Sequence, residues 1–265
     1  MKSFFLSLVL LTVGGFSNAA TPSFTNLSQA DFEKVSKEFS ANFTHHSVTG
    51  AATLGSVFGF ELALVGGLMP SPNTDAVVKA NSSGNELPQM AHAGLLLGVS
   101  VPFGFSGELV MVPKMSQQNS DYQSSSMALK WTFSEFLPVP FLNLALRASS
   151  SAAKFSFSQT SGGVVGTVED SSKVTGLMLL VSPSLLVVEP YFGVGQLTAN
   201  NSLGVSGTGS VFNTTYTSAQ SAETTPTSTE ILVGINAKLL VFSLGAEYYQ
   251  AFGASGYTAK LGMAF

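Results

Sequence analysis

The sequence predicts an all-β chain, a single antiparallel up-and-down transmembrane β-barrel of about ten strands with an amphipathic helix before it. Three observations carry this. Apolar and polar side chains alternate with period two through most of the chain, the pattern of strands with one apolar face. Charged residues are only 10% of the sequence, against roughly 25% in ordinary soluble domains. Hydropathy is positive overall, yet beyond the first twenty residues no stretch is continuously apolar enough for a membrane helix. A chain that crosses a membrane without such a helix must cross it as a closed barrel.

The first element is not part of the fold. Lys2, the apolar run from Phe4 to Val13 and the small residues Ser17 and Ala19 read as a secretory signal peptide over 1–20. Residues 21–50 hold the one expected helix and a linker. Ser28 and Asp31 resemble a capping box, and Phe32, Val35, Phe39 and Phe43 follow on one helical stripe, so the helix needs a surface to lie on. The periplasmic mouth of the barrel, or its lumen as a plug, is the expected place. His45 and His46 after it read as a solvated linker, since adjacent side chains diverge and no Asp, Glu or Cys stands at ligand spacing. No metal or other cofactor is expected.

The barrel itself is expected over 51–265. Strands are read at 56–68, 90–101, 103–113, 125–134, 141–157, 173–181, 185–197, 229–239, 241–251 and 256–265. Short connections alternate with the long ones 69–89, 114–124, 158–172 and 198–228, as in barrels with tight turns on one side and loops on the other. The segment 198–228 is Gly-, Ser- and Thr-rich. It reads as a surface loop, or as a hairpin at 205–216; a hairpin within the membrane would make twelve strands. The sixth strand is the weakest, because Leu177, Met178, Leu179 and Leu180 are apolar on both faces.

Charge placement is the sharper test. With the large apolar residues facing lipid (Phe58 to Leu64, Leu95 to Val99, Met127 to Phe133, Ile231 to Ile235 among them), the opposite face receives Glu61, His92, Glu108, Lys130, Arg147, Glu189, Glu230, Lys238, Glu247 and Lys260. A Lys or Arg facing lipid at mid-depth costs about 2 to 4 kcal/mol, so a membrane barrel has to keep its charges inside. Of these, Glu61, Glu108, Lys130, Arg147, Glu189, Glu247 and Lys260 have nearly balanced sign and are expected to pair across a narrow lumen.

The last strand gives the only recognisable motif. Tyr257, Leu261, Met263 and the terminal Phe265 share one face, which resembles the C-terminal signal strand of Gram-negative outer-membrane β-barrels. That resemblance implies export to the outer membrane, assembly by the barrel-assembly machinery with periplasmic chaperones, and a wall in contact with outer-membrane lipid. The function expected is a small porin-like channel passing small solutes, or a structural membrane protein, with the lumen restricted by paired charges and the helix. Two alternatives stand beside it: an adhesin or receptor using the Ser/Thr-rich loops, and a rim-located hydrolase or acyltransferase. For an enzyme, His92 with Asp121 is the only candidate base and orienting carboxylate, and neither the paired Asp residues of omptin proteases nor a Ser-His-Asp set is present. The net charge of −4 offers nothing to nucleic acid.

Overall fold

The computed structural model describes residues 28–55, 57–81, 86–117, 120–134, 141–161, 164–183, 185, 187–211 and 214–265; the predicted leader, 1–20, lies outside them. Eleven strands follow one another as β1 (Gly59–Pro70), β2 (Gln89–Val101), β3 (Phe105–Gln117), β4 (Ser120–Thr132), β5 (Leu142–Ser161), β6 (Val164–Pro183), β7 (Val188–Val211), β8 (Thr214–Thr224), β9 (Thr227–Leu239), β10 (Phe242–Ala251) and β11 (Ala254–Ala264). Ten of them close into a barrel through the pairings β1–β11, β6–β7 and β7–β9. The eleventh, β8, pairs only with the far half of β7, at Asn201 to Val211. The 198–228 segment is therefore a hairpin standing beyond the barrel wall and adds no strand to the membrane.

Closure is completed by the end of the chain. Phe60 N–H donates to Phe265 O at 2.9 Å, and Phe265 N–H donates to Phe60 O at 2.8 Å, so the first and last strands cover each other's edges. Tyr257, Leu261, Met263 and Phe265 all face outward. So do the other apolar residues taken to mark lipid, and the ten charged or His side chains assigned to the interior all point inward. The alternation holds in β6 as well: Leu177 and Leu179 face out, while Met178 and Leu180 are buried inside.

Three of the expected long loops are instead strand. The 114–124 and 158–172 segments extend β3, β4, β5 and β6, and the β7–β8 hairpin does the same for 198–228. A strand of 20 residues, the length of β5 and of β6, runs for about 60 Å, well beyond the roughly 35 Å that a tilted strand needs to cross an apolar band of roughly 25 Å. Their lower halves cross the band; their upper halves stand above it. In β3 the ladder shifts between Val112 and Met115, where Pro113 has no N–H to give to it. The fourth long connection, 71–88, holds a short helix that the sequence reading missed, α2 (Pro72–Asn81). Among the short turns, Phe252 and Gly253 join β10 to β11 at φ 52° and 82°, the left-handed geometry of a two-residue hairpin turn that Gly adopts freely.

The N-terminal helix, α1 (Gln29–Asn42), is capped as expected, with Asp31 N–H donating to Ser28 Oγ at 3.1 Å. It covers the mouth at which the tall hairpins stand, and the chain that follows it enters the lumen. Asn42 Nδ2 donates to Ala91 O, Ser40 bonds Asn201, and Gln29 Nε2 donates to Glu223 O. All three partners lie toward the tall hairpins, opposite the end where β1 starts and β11 finishes. Phe32 and Val35 are buried there and Phe39 packs on the cluster of Met69, Met90, Leu197 and Phe252. From Phe43 the chain runs down inside the barrel and leaves it at the short-turn end, where β1 begins.

Candidate functional site

The lumen is filled by this descending segment, and the wall grips it chiefly by its backbone. Lys130 Nζ donates to Gly50 O at 2.8 Å and to Ala52 O at 2.9 Å, Thr132 Oγ1 donates to Ala51 O at 2.6 Å, and Lys238 Nζ donates to Leu54 O at 3.2 Å. From the other side, Ala52 N–H donates to Glu189 Oε1 at 2.8 Å, an oxygen that also accepts from Ser182 Oγ at 2.7 Å. Five backbone groups of four residues are thus served by side chains of β4, β7 and β9. A Cβ at Gly50 would meet the Glu189 carboxylate, which would then have to move from its place at Ala52 N–H. Backbone groups buried away from water must find partners, and in this segment charged side chains supply them.

Above the clamp, the polar side chains of the segment take over. Glu108 accepts from Thr49 Oγ1 at 2.7 Å on one oxygen and faces His45 Nε2 at 2.9 Å on the other, with Lys130 Nζ 3.8 Å away. His45 Nδ1 lies 2.9 Å from Ser126 Oγ, and Arg147 donates to Ser47 Oγ at 3.3 Å. His46 stacks on His92 with ring centroids 4.4 Å apart and lies 4.3 Å from the ring of Tyr249. His45 and His46 are therefore buried members of the lumen and not a solvated linker. Val48 sits at the centre in a packed apolar layer with Ala63, Val65 and Leu96, at φ 52°, a strained conformation for a β-branched residue that costs on the order of 1 to 3 kcal/mol and persists only where its surroundings fix it.

The predicted luminal charges do meet, but only partly one another. Glu61 and Lys260 pair at 2.8 Å, with Ser243 Oγ donating to Glu61 at 2.6 Å. Glu247 accepts from Tyr191 O–H at 2.9 Å. Glu108, Lys130, Arg147 and Glu189 spend most of their hydrogen bonds on the segment 45–52. The sequence could place these side chains on the inner face; it had no signal that chain 59 to 137 residues distant would lie between them. Glu38 was missed altogether. Buried on α1, it accepts from Asn73 N–H, Asn73 Nδ2, Thr74 N–H and Thr74 Oγ1 at 2.6 to 2.9 Å, which caps the start of α2 and ties that helix over the plug. At the other end of that helix the Lys79 ammonium, 2.8 Å from Asp75, holds its carboxyl below the usual carboxylate range.

The candidate catalytic pair is not assembled. The His92 nitrogens engage Asn42 Oδ1 and Thr258 Oγ1 at 3.1 and 3.0 Å, and Asp121 pairs with Lys114 at 2.8 Å. Among the described residues no group of three His, Asp or Glu is placed to hold a metal ion.

A closed antiparallel barrel with an apolar outer wall, an ionised interior and tight turns at one end is the architecture of Gram-negative outer-membrane barrels. Solved structures of that class resemble the chain as folds. The translocator domain of the autotransporter NalP from Neisseria meningitidis has 11% identity and a TM-score of 0.41, covering 89% of this chain and 95% of that one. The outer-membrane protease OmpT from Escherichia coli has 9% and 0.39, covering 78% and 96%, and Ail, the attachment invasion locus protein of Yersinia pestis, 10% and 0.35, covering 79% and 99%. No curated protein matches the sequence. Within the class, the chain belongs to DUF6588, a family of unknown function whose pattern it matches over residues 80–265.

Proposed function

We propose that the protein is a closed outer-membrane channel for small solutes, its lumen stopped by residues 43–55 and covered by α1. The observation that carries the reading is the form of the stopper. It is a single extended segment whose main chain is hydrogen-bonded to the wall, with Val48 and Ala51 as its buried members of the apolar clusters. A barrel meant only as a structural element could fill its interior with side chains alone, as small barrels do; this one devotes Glu108, Lys130, Arg147 and Glu189 to a separable piece of chain. With that piece withdrawn, the same side chains would line a polar constriction of mixed charge, the kind of lining that selects among small polar solutes. The reading makes the protein a transporter of matter and not an enzyme.

The test is single-channel conductance of the refolded protein in a planar bilayer, with and without residues 21–55, the deletion ending before β1 begins at Gly59. The expected outcome is a quiet full-length protein and steady current from the shortened one, with heat-modifiable migration establishing that both barrels have folded. Two folded and silent barrels would overturn it. Surface binding is the second reading, favoured by the Ser/Thr-rich β5–β6 and β7–β8 hairpins that stand well beyond the apolar band.

A further inference from the structure

The direction of the luminal segment is a separate observation from its presence. Residue by residue it runs from the hairpin end to the short-turn end: Asn42 lies against Ala91 near the top of β2, Val48 against Ala63 and Val65 at mid-wall, and Leu54 beside Lys238 near the foot of β9. The short turns of outer-membrane barrels face the periplasm and the longer connections face outward. Helix α1 is therefore on the outer side of the barrel, while β1 starts from the inner side.

The clamp has a matching character. Gly50, Ala51 and Ala52 offer the wall almost no side chain, and what Lys130, Thr132, Glu189 and Lys238 hold is four carbonyl oxygens and one amide N–H. Recognition through main-chain groups is how extended peptides are held with little regard to sequence. We propose that the lumen is a binding site for an extended polypeptide backbone, that the chain's own residues 43–55 occupy it as a segment passed through the barrel from the periplasmic end, and that α1 is consequently displayed at the cell surface. The proposal rests on the outer-membrane reading of the barrel and not on the channel reading. A solute channel could be plugged from either side; this arrangement requires α1 to be outside.

The chain contains no cysteine, so single cysteines report topology cleanly. Three variants of the full-length protein, carried in the outer membrane of intact cells, are exposed to a membrane-impermeant maleimide: Ala30→Cys on the exposed first turn of α1, Gln123→Cys on the hairpin half of β4, and Leu240→Cys, fully exposed in the β9–β10 turn. The expected result is that Ala30→Cys reacts on intact cells as Gln123→Cys does, and Leu240→Cys only after the outer membrane is permeabilised. If Ala30→Cys behaves as Leu240→Cys does, the threading is overturned. The clamp is tested in the same protein with Val48→Cys as reporter. Ala52→Pro, which deletes the N–H held by Glu189, is expected to raise its labelling rate at least tenfold, whereas Ala52→Ser leaves it unchanged. Equal protection in both, in barrels shown to be folded by heat-modifiable migration, would overturn backbone recognition. Neither result depends on whether current flows, so the channel reading and this one fail separately.

Discussion

Lys130 is the residue on which the interior turns. Only 1% exposed, its ammonium serves two carbonyls of the luminal segment and stands 3.8 Å from Glu108. Lys130→Met keeps the volume and removes the charge, leaving Glu108 with one counter-charge fewer and two buried carbonyls without donors. Breaking one side of a buried ionic network costs about 3 to 5 kcal/mol. Urea unfolding of the refolded barrel is expected to show a loss of that size, and Lys130→Met with Glu108→Gln to recover part of it. A loss under about 1 kcal/mol, the scale of an ordinary surface pair, would mean that the network does not hold the segment. At this scale the sequence was legible in one respect. The inward direction of Glu61, Lys130 and Lys260 follows from the energetic cost of the alternative, a charge in lipid. Their partners were not legible, because His45 meets Glu108 across 63 residues and no local spacing encodes that. The same gap explains the misreading of His45 and His46: polar residues in a row look solvated unless a polar interior is known to await them.

The elements were legible in proportion to how amphipathic they are. Helix α1 announced itself by its cap and its Phe32–Val35–Phe39 stripe, and the lower halves of the strands by alternation. The upper halves of β6 to β8 and the last four residues of β5 did not, since stretches rich in Ser, Thr and Gly carry no clear hydrophobic period. Helix α2 failed for another reason. Ten residues are too few to be stable alone, and the helix owes its start to Glu38, an α1 residue outside the α2 sequence. Glu38→Gln keeps the shape but loses an ionised acceptor that holds four donors. A hydrogen bond to a charged group contributes about 1.5 to 3 kcal/mol, so amide exchange over 72–81 is expected to speed up by about tenfold to a hundredfold, with the barrel amides unchanged. Uniform acceleration throughout the protein would instead show that α1, α2 and the barrel open as one unit.

At the scale of the whole molecule, the fold makes sense only with lipid around it. The outer wall carries Phe60, Leu62, Leu129, Leu244 and Leu261 at high exposure, a surface that in water would drive association. The aromatic residues gather toward the short-turn end, where Phe58, Phe103, Phe141, Phe242 and Phe265 are all exposed, as expected of a girdle at one membrane interface. Trp131, the only tryptophan, stacks on Phe105 at 6.0 Å on the outward face, which provides an optical probe of folding in the wall itself. A depth test follows. Leu129, 58% exposed on the outward face of the lower half of β4, and Phe141, 82% exposed just before β5, are both on the surface, so in water an arginine at either would cost almost nothing. In a bilayer, Leu129→Arg is expected to destabilise the barrel by about 2 to 4 kcal/mol and Phe141→Arg by no more than about 1. Urea unfolding in lipid vesicles, followed by Trp131 fluorescence, measures both. Equal small losses would deny the wall its membrane, and the order Leu129 over Phe141 would place the centre of the apolar band nearer to Leu129 than to Phe141.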